Sequence, residues 1–295
     1  FTSDTTARIP GANLTQKRQG QAATSSVTDA YTAAGYDGSN RHSLVEKTTY
    51  ASDTTARAPG ANLTAPKDRL GAAGNSTDGY FGGGRNPSIS PSNLSTMDKL
   101  TYSSDTAAAV PGAKLSAARK YLVATGNTTA GYFGGGAPGP GQISTVDKTT
   151  YSSDTTAAVP GAKLSFARNS LGATGNSTHG YFGGGSDGFD GLTIMDKTTY
   201  ASDTTAAVPS ANLISARYAL SATGNSTAGY FAGGFDPSPQ STVEKVTYST
   251  DTTARIPGAD LSSSRYNFSA ASGRANALAA APSAPATRLS DGAGP

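Results

Sequence analysis

The chain has 295 residues with 15% charged, 36% hydrophobic and a net charge of +3, enough for one domain with a substantial core. No long basic block is present to neutralise a run of phosphates, so nucleic-acid binding is not signalled, and no apolar stretch approaches the roughly 18 residues needed to span a bilayer. There is no Cys, which excludes disulfides, thiolate metal sites and cysteine nucleophiles together.

Gly contributes 36 residues and Tyr 14, while Trp is absent, a composition that favours short strands joined by tight turns. The chain starts at Phe1 and not at Met, as a processed product or a part of a longer polypeptide would.

A repeat organises the whole sequence. Aromatic anchors before a Ser-Asp-Thr-Thr-like string stand at Phe1, Tyr50, Tyr102, Tyr151, Tyr200 and Tyr248, which makes six units of about 49 residues. Thirteen residues after each anchor comes a Leu (Leu14, Leu63, Leu115, Leu164, Leu213, Leu261), and seventeen further on comes Tyr31, Tyr80, Tyr132, Tyr181, Tyr230 or, last, Leu278. All length variation falls in the remaining segment, which is therefore expected to be an exposed loop.

Within the fourth unit the pattern predicts strand a near 169–174, strand b over 180–184, strand c over 194–200 and strand d over 204–208. Gly175-Asn176 and its counterparts predict an a–b hairpin with positive φ angles. Ala23, Ala72, Ala124, Ala173, Ala222 and Ala270 suit innermost strands crowded around a channel. Aromatic pairs such as Tyr181-Phe182 point to opposite faces of strand b and fill the space between neighbouring blades.

After Leu278 a further anchor would fall at position 296, one beyond the end of the chain. The expectation is an all-β fold: a single six-bladed, kelch-like β-propeller over 1–295 with four-stranded blades, 1–13 serving as the closing strand and 282–295 as an irregular C-terminal segment.

A Gly doublet after strand b, an aromatic beside it, an acid in strand c and an Arg before the next strand a together resemble the kelch repeat, without its usual Trp. A closer resemblance is to the repeat proteins of marine cyanobacterial phages. It is carried by Gly-Tyr-Phe-Gly-Gly-Gly at 131–136, Ser-Thr-Val-Asp-Lys-Thr-Thr-Tyr-Ser-Ser-Asp-Thr at 144–155 and Leu-Ser-Phe-Ala-Arg at 164–168. The resemblance implies a tail-fibre-like or other virion structural protein.

Of the 20 acidic residues, 11 occupy two repeated positions, Asp4, Asp53, Asp105, Asp154, Asp203 and Asp251 before strand d, and Glu46, Asp98, Asp147, Asp196 and Glu244 in strand c. Groups repeated around a ring serve every blade alike, so turn and ladder roles are expected of them and not catalysis. His42 and His179 stand in different loops, and Asp187-Gly188-Phe189-Asp190 lacks the graded spacing of a calcium loop. No catalytic residue, metal ligand or cofactor is expected.

A cation follows each Leu by four residues (Arg18, Lys67, Arg119, Arg168, Arg217, Arg265). This basic ring is expected either to bond backbone carbonyls between blades or to face an anionic group at the centre. Arg8, Arg57 and Arg255 share one strand-d position where the other units carry Ala, a rim patch that would meet a neighbouring subunit or an acidic surface.

The variable b–c loops are the ligand-binding candidates, with Tyr36, Asp37, Arg41, Arg85, Asn86, Phe189, Asp190, Phe235 and Asp236. Their aromatics suit stacking on a sugar ring while carboxylates bind its hydroxyls. The leading expectation is a non-enzymatic virion component that binds a host-surface glycan or other virion proteins within a larger oligomeric assembly on the particle surface. A secreted bacterial lectin or adhesin and a propeller enzyme of unknown substrate are the alternatives.

Overall fold

In a computed structural model, which describes residues 4–272, the chain is a β-propeller of four-stranded antiparallel blades. Blade 1 comprises β1 Ala22–Ser25, β2 Asp29–Ala33, β3 Val45–Thr49 and β4 Thr54–Arg57. Blade 2 is β5 Gly71–Gly74, β6 Asp78–Gly82, β7 Met97–Thr101 and β8 Thr106–Ala109. Blade 3 is β9 Val123–Gly126, β10 Ala130–Gly134, β11 Val146–Thr150 and β12 Thr155–Ala158. Blade 4 is β13 Gly172–Gly175, β14 His179–Gly183, β15 Met195–Thr199 and β16 Thr204–Ala207. Blade 5 is β17 Ser221–Gly224, β18 Ala228–Ala232, β19 Val243–Thr247 and β20 Thr252–Arg255.

Register explains what each residue does. In blade 4, Thr174, Tyr181, Lys197 and Ala206 are cross-strand partners, and so are Ala173, Phe182, Asp196 and Ala207. Partners in a sheet share a face, so every blade has a tyrosine–lysine face, and its other face pairs the strand-c acid with Phe in blades 2–5 and with Thr32 in blade 1. The Phe182 ring packs against Gly134 of blade 3, where an added Cβ would come within 2.7 Å of it.

The tyrosine–lysine face meets the following blade. Tyr181 stacks on Tyr248 with ring centroids 4.8 Å apart and donates its hydroxyl to Asp251 at 2.5 Å, while Lys197 Nζ donates to the same carboxylate at 2.7 Å. The arrangement recurs for Tyr31, Tyr102, Lys47 and Asp105, for Tyr80, Tyr151, Lys99 and Asp154, and for Tyr132, Tyr200, Lys148 and Asp203. Each of these aspartates has a positive φ near 50°, a left-handed turn that Asp tolerates better than most residues. Burial raises the pKa of Asp203, but the hydrogen bonds from Lys148 and Tyr132 outweigh it, and the carboxyl lies below its ordinary value.

The other face carries a buried ion pair. Arg168 Nη1 contacts Asp196 Oδ2 at 2.7 Å with both side chains wholly buried, and its Nη2 and Nε donate to the carbonyls of Phe182 and Gly184. Arg18–Glu46, Lys67–Asp98, Arg119–Asp147 and Arg217–Glu244 repeat the pair at 2.6 to 3.0 Å.

The expected blade number is corrected. The described residues form five four-stranded sheets and not six. A further blade needs its own strands b and c, and in the last unit the tyrosine is replaced by Leu278 while no Ser-Thr-Val-Asp-Lys string follows. Those residues, and the C-terminal segment 282–295, lie outside the described residues.

The N-terminal segment sits between blades 5 and 1. Asp4 accepts from Tyr230 and Lys245 of blade 5, and Thr6 Oγ1 donates to Ala259 O at 2.7 Å. On the other side Thr55 Oγ1 of β4 donates to Ala12 O at 3.1 Å. Of the expected closing strand 1–13, the described residues 4–9 are not assigned as strand, and Pro10–Ala12 is a 3-10 turn.

The a–b turn also differs from expectation. Gly175 and Asn176 do not have positive φ; instead Asn176 Oδ1 accepts the backbone N–H of Thr178 and His179, closing the turn through a side chain. Gly175 is required by crowding, since a Cβ there would lie 2.4 Å from His179 O. Left-handed glycines follow strand b, as at Gly184 and Gly185, and the Gly185 N–H reaches the Arg217 carbonyl of blade 5 at 3.0 Å.

Replacing Arg168 by Met strands the Asp196 carboxylate in the core, and chemical denaturation should show a loss of about 3–5 kcal/mol. The double replacement Arg168→Met with Asp196→Leu should recover most of it, and equal losses in both variants would contradict a paired role. Stability should begin to fall below the free-imidazole value of about pH 6.5, because burial lowers the pKa of His179, and fall further as pH drops from the free-carboxylate value through the depressed values of Asp4, Asp203 and Asp251. Thermal melts across that range read it directly.

Candidate ligand-binding face

At the second residue after each repeated cation the backbone turns left-handed and meets its neighbours around the axis. Gly20, Arg69, Tyr121, Ser170, Ala219 and Asn267 all have φ between 55° and 67°. Each N–H bonds the carbonyl of the preceding member, Arg69 to Gly20, Tyr121 to Arg69, Ser170 to Tyr121, Ala219 to Ser170 and Asn267 to Ala219. Gly20 donates to Asn267 and closes the circuit, with all six distances between 2.6 and 2.9 Å. Beneath it, the channel is lined by Ala23, Ala72, Ala124, Ala173, Ala222 and Ala270, as the alanine spacing predicted.

The residue before each ring member pairs with a b–c loop. Gln19 faces Tyr36, Asp68 faces Arg85, Lys120 faces Ala137, Asn169 faces Ser186 and Tyr218 faces Phe235, each as an isolated antiparallel bridge. Each of these five units therefore presents a two-residue slot and the root of a variable loop at the same end of the axis.

One side of this face is aromatic. A basin of about 360 Å³ is lined by Lys120, Tyr121, Asn169, Phe189, Tyr218 and Tyr266, among others, with amides from Gln142 and Asn267. Phe189 is 92% exposed. Phe235 backs the basin, its ring centroid 5.5 Å from that of Tyr218 and 5.4 Å from that of Tyr266.

The other side is charged. Asp68 is buried and pairs with Arg41 at 3.0 Å and Arg69 at 3.7 Å. The Arg69 guanidinium lies 4.6 Å from the centre of the Tyr121 ring, and Lys120 Nζ lies 5.6 Å from it. Desolvation, together with the neighbouring charges of Arg85 and Arg69, lowers the pKa of Lys120.

Of the loop candidates, Phe189 lies in the basin and Phe235 behind it, while Arg41 and Arg85 stand on the charged side. Tyr36 carries the Arg41 guanidinium 4.8 Å from its ring centre. Asp37 is occupied within its own loop by the N–H groups of Asn40 and Ser39 and by His42, which hold it well below the usual carboxylate range. Asn86 is buried and accepts from Ser88 N, and Asp190 and Asp236 do not line the basin. Asp187 caps its own loop through Phe189 N and Asp190 N.

Four of the ring's arginines bond backbone carbonyls, as one expectation had it, but within a blade and not between blades: Arg18 to Thr32, Arg119 to Phe133, Arg168 to Phe182 and Arg217 to Phe231. Arg18, Lys67, Arg119, Arg168 and Arg217 are buried inside their own blades, and the anionic groups they meet are the strand-c carboxylates. Arg265 is exposed and donates to Ser263. The rim residues Arg57 and Arg255 lie on blades 1 and 5 with Arg8 on the segment between them; Arg255 pairs with Asp260 at 2.7 Å and Arg57 bonds Thr15 and Gln16. His179 Nδ1 contacts Thr178 Oγ1 at 2.8 Å. Among the described residues no three His, Asp or Glu side chains converge as metal ligands.

Sequence reasoning missed Arg69, Lys120, Tyr121, Tyr218 and Tyr266. The available signal was the pair after each repeated cation, which differs in all six units (Gln-Gly, Asp-Arg, Lys-Tyr, Asn-Ser, Tyr-Ala, Tyr-Asn) inside an interval of constant length.

A scan against protein-family models finds no family that matches the chain, and a search of the curated proteins finds no relative.

The electrostatics of this face are directly measurable. The Lys120 amine should acylate at lower pH than Lys245, whose pKa is raised by its hydrogen bond to Asp4. Peptide mapping of the labelled protein reads both, and Arg85→Gln should move Lys120 towards ordinary reactivity.

Proposed function

We propose that the chain is a non-enzymatic recognition propeller that binds a host-surface glycan through its axial face, as a tail-fibre-like or surface-decorating component of a phage particle. The axial basin carries this reading. It combines an exposed Phe189 with Tyr121, Tyr218 and Tyr266, amides from Gln142, Asn169 and Asn267, and a rigid backbone circuit beneath. Aromatic faces suit the C–H surface of a sugar ring, and amides suit its hydroxyls.

The non-enzymatic reading is supported by how the repeated carboxylates are used. Those of strand c neutralise buried cations, and those before strand d, from Asp105 to Asp251 and at Asp4, accept Tyr and Lys donors from the neighbouring blade. General acid–base catalysis needs a group free to exchange its proton with substrate. The virion setting rests on the resemblance to phage repeat proteins carried by the strings at 131–136, 144–155 and 164–168, and contacts with other virion proteins within an oligomeric assembly belong to the same reading. A secreted lectin would use the same basin and differ only in where the protein is found.

Two measurements test this. Saccharide-array binding should fall about tenfold in Phe189→Ala, a loss of roughly 1.4 kcal/mol, with the melting temperature unchanged because the ring is solvent-exposed. Mass spectrometry of purified virions should recover the repeat peptides. Undiminished binding in the Phe189 variant removes the basin from the reading, and virions without these peptides remove the particle setting.

A further inference from the structure

The charge around the axial mouth is one-sided. Arg41, Arg69, Arg85 and Lys120 gather about a single buried acid, Asp68, which already pairs with Arg41 and Arg69. Among the described residues neither Arg85 nor Lys120 forms an ion pair, and Arg85 Nε is buried with no hydrogen-bond partner. The nearest loop carboxylate of blade 1, Asp37, is taken by His42, Gln16 and its own loop backbone.

The lining of the basin points the same way. Among the described residues its only charged member is Lys120, and no Asp or Glu lines it. The hydroxyls of a neutral sugar would find amides there but none of the carboxylate acceptors expected from the sequence. The Tyr121 ring joins the two halves, lining the basin while the heads of Arg69 and Lys120 lie 4.6 and 5.6 Å from its centre. An anionic substituent on a sugar seated against Phe189 and Tyr218 would reach Lys120, which has no ion-pair partner among the described residues, beside Arg69, which shares the single carboxylate of Asp68 with Arg41; four cations to one acid leave room for a charge-assisted hydrogen bond.

We infer that the ligand is an acidic saccharide, its ring held against Phe189, Tyr218 and Tyr266 and its carboxylate or sulfate bound by Lys120, with Arg69 and Arg85 behind. This rests on the glycan reading above and adds the charge class. A compact basin with the cations on one side fits a single acidic sugar better than a nucleic-acid strand, whose successive phosphates call for a basic groove along its path.

The test is an array of uronic-acid, sialylated and sulfated saccharides beside their carboxyl-reduced and desulfated counterparts, with oligonucleotides as a further class. Acidic members should bind, their neutralised counterparts should bind at least about tenfold more weakly, and the gap should shrink near 1 M salt, where the Debye length is about 3 Å. Lys120→Gln and the double variant with Arg85→Gln should lose the preference while keeping the wild-type melting temperature. If Arg85→Gln impairs folding, Lys120→Gln with selective acylation of Lys120 in the wild type provides the same reading. Equal binding to both members of each pair overturns the charge class and leaves glycan binding standing. No saccharide binding at all overturns both, and preference for oligonucleotides overturns the ligand class.

Discussion

Neighbouring blades are joined by one recurring contact, in which a strand-b tyrosine and a strand-c lysine share the left-handed aspartate of the next blade. It fixes where each sheet sits relative to the one before. The stacking of Tyr31 on Tyr102, Tyr80 on Tyr151, Tyr132 on Tyr200 and Tyr181 on Tyr248 fixes how that sheet is tilted. Because Asp4 receives Tyr230 and Lys245 in the same way, the N-terminal segment is clasped by blade 5 as the next sheet would be. The axis, and everything presented at its mouth, follows from repetition of this joint.

Much of the architecture was legible because its causes are local. The period, the four strands per unit and the alanine-lined channel follow from residue type and spacing, and the structure agrees in the fourth unit to within three residues at each strand end. What was illegible depends on register. Arg168 and Asp196 are 28 residues apart and look unrelated until β13, β14 and β15 are aligned, after which cation and acid are seen to neutralise each other inside one blade. The Gly-Asn turn misled because Asn176 closes it with its side chain, leaving Gly175 to relieve crowding.

The proposed binding face was half legible. Loop variability singled out Phe189, Phe235, Arg41 and Arg85, which the propeller gathers at one end of the axis. Asp190 and Asp236 stand beside the two aromatics in sequence yet line nothing in the basin, since adjacent residues on a turn face different ways. The slot residues escaped notice because their interval never changes length, and constant length suggests framework. Only the left-handed backbone at Arg69, Tyr121, Ser170 and Ala219 reveals that the chain leaves the sheet there and turns its side chains to the mouth.

The circuit of six N–H to C=O bonds is made by backbone alone, and its members are as different as glycine, arginine, tyrosine, serine, alanine and asparagine. The frame therefore admits side chains of very different chemistry, short of proline and the β-branched residues that its left-handed turns disfavour. A pair copied from one unit into another by recombination arrives already in register, so the chemistry of the mouth can be rewritten two letters at a time, as type is reset in a fixed forme.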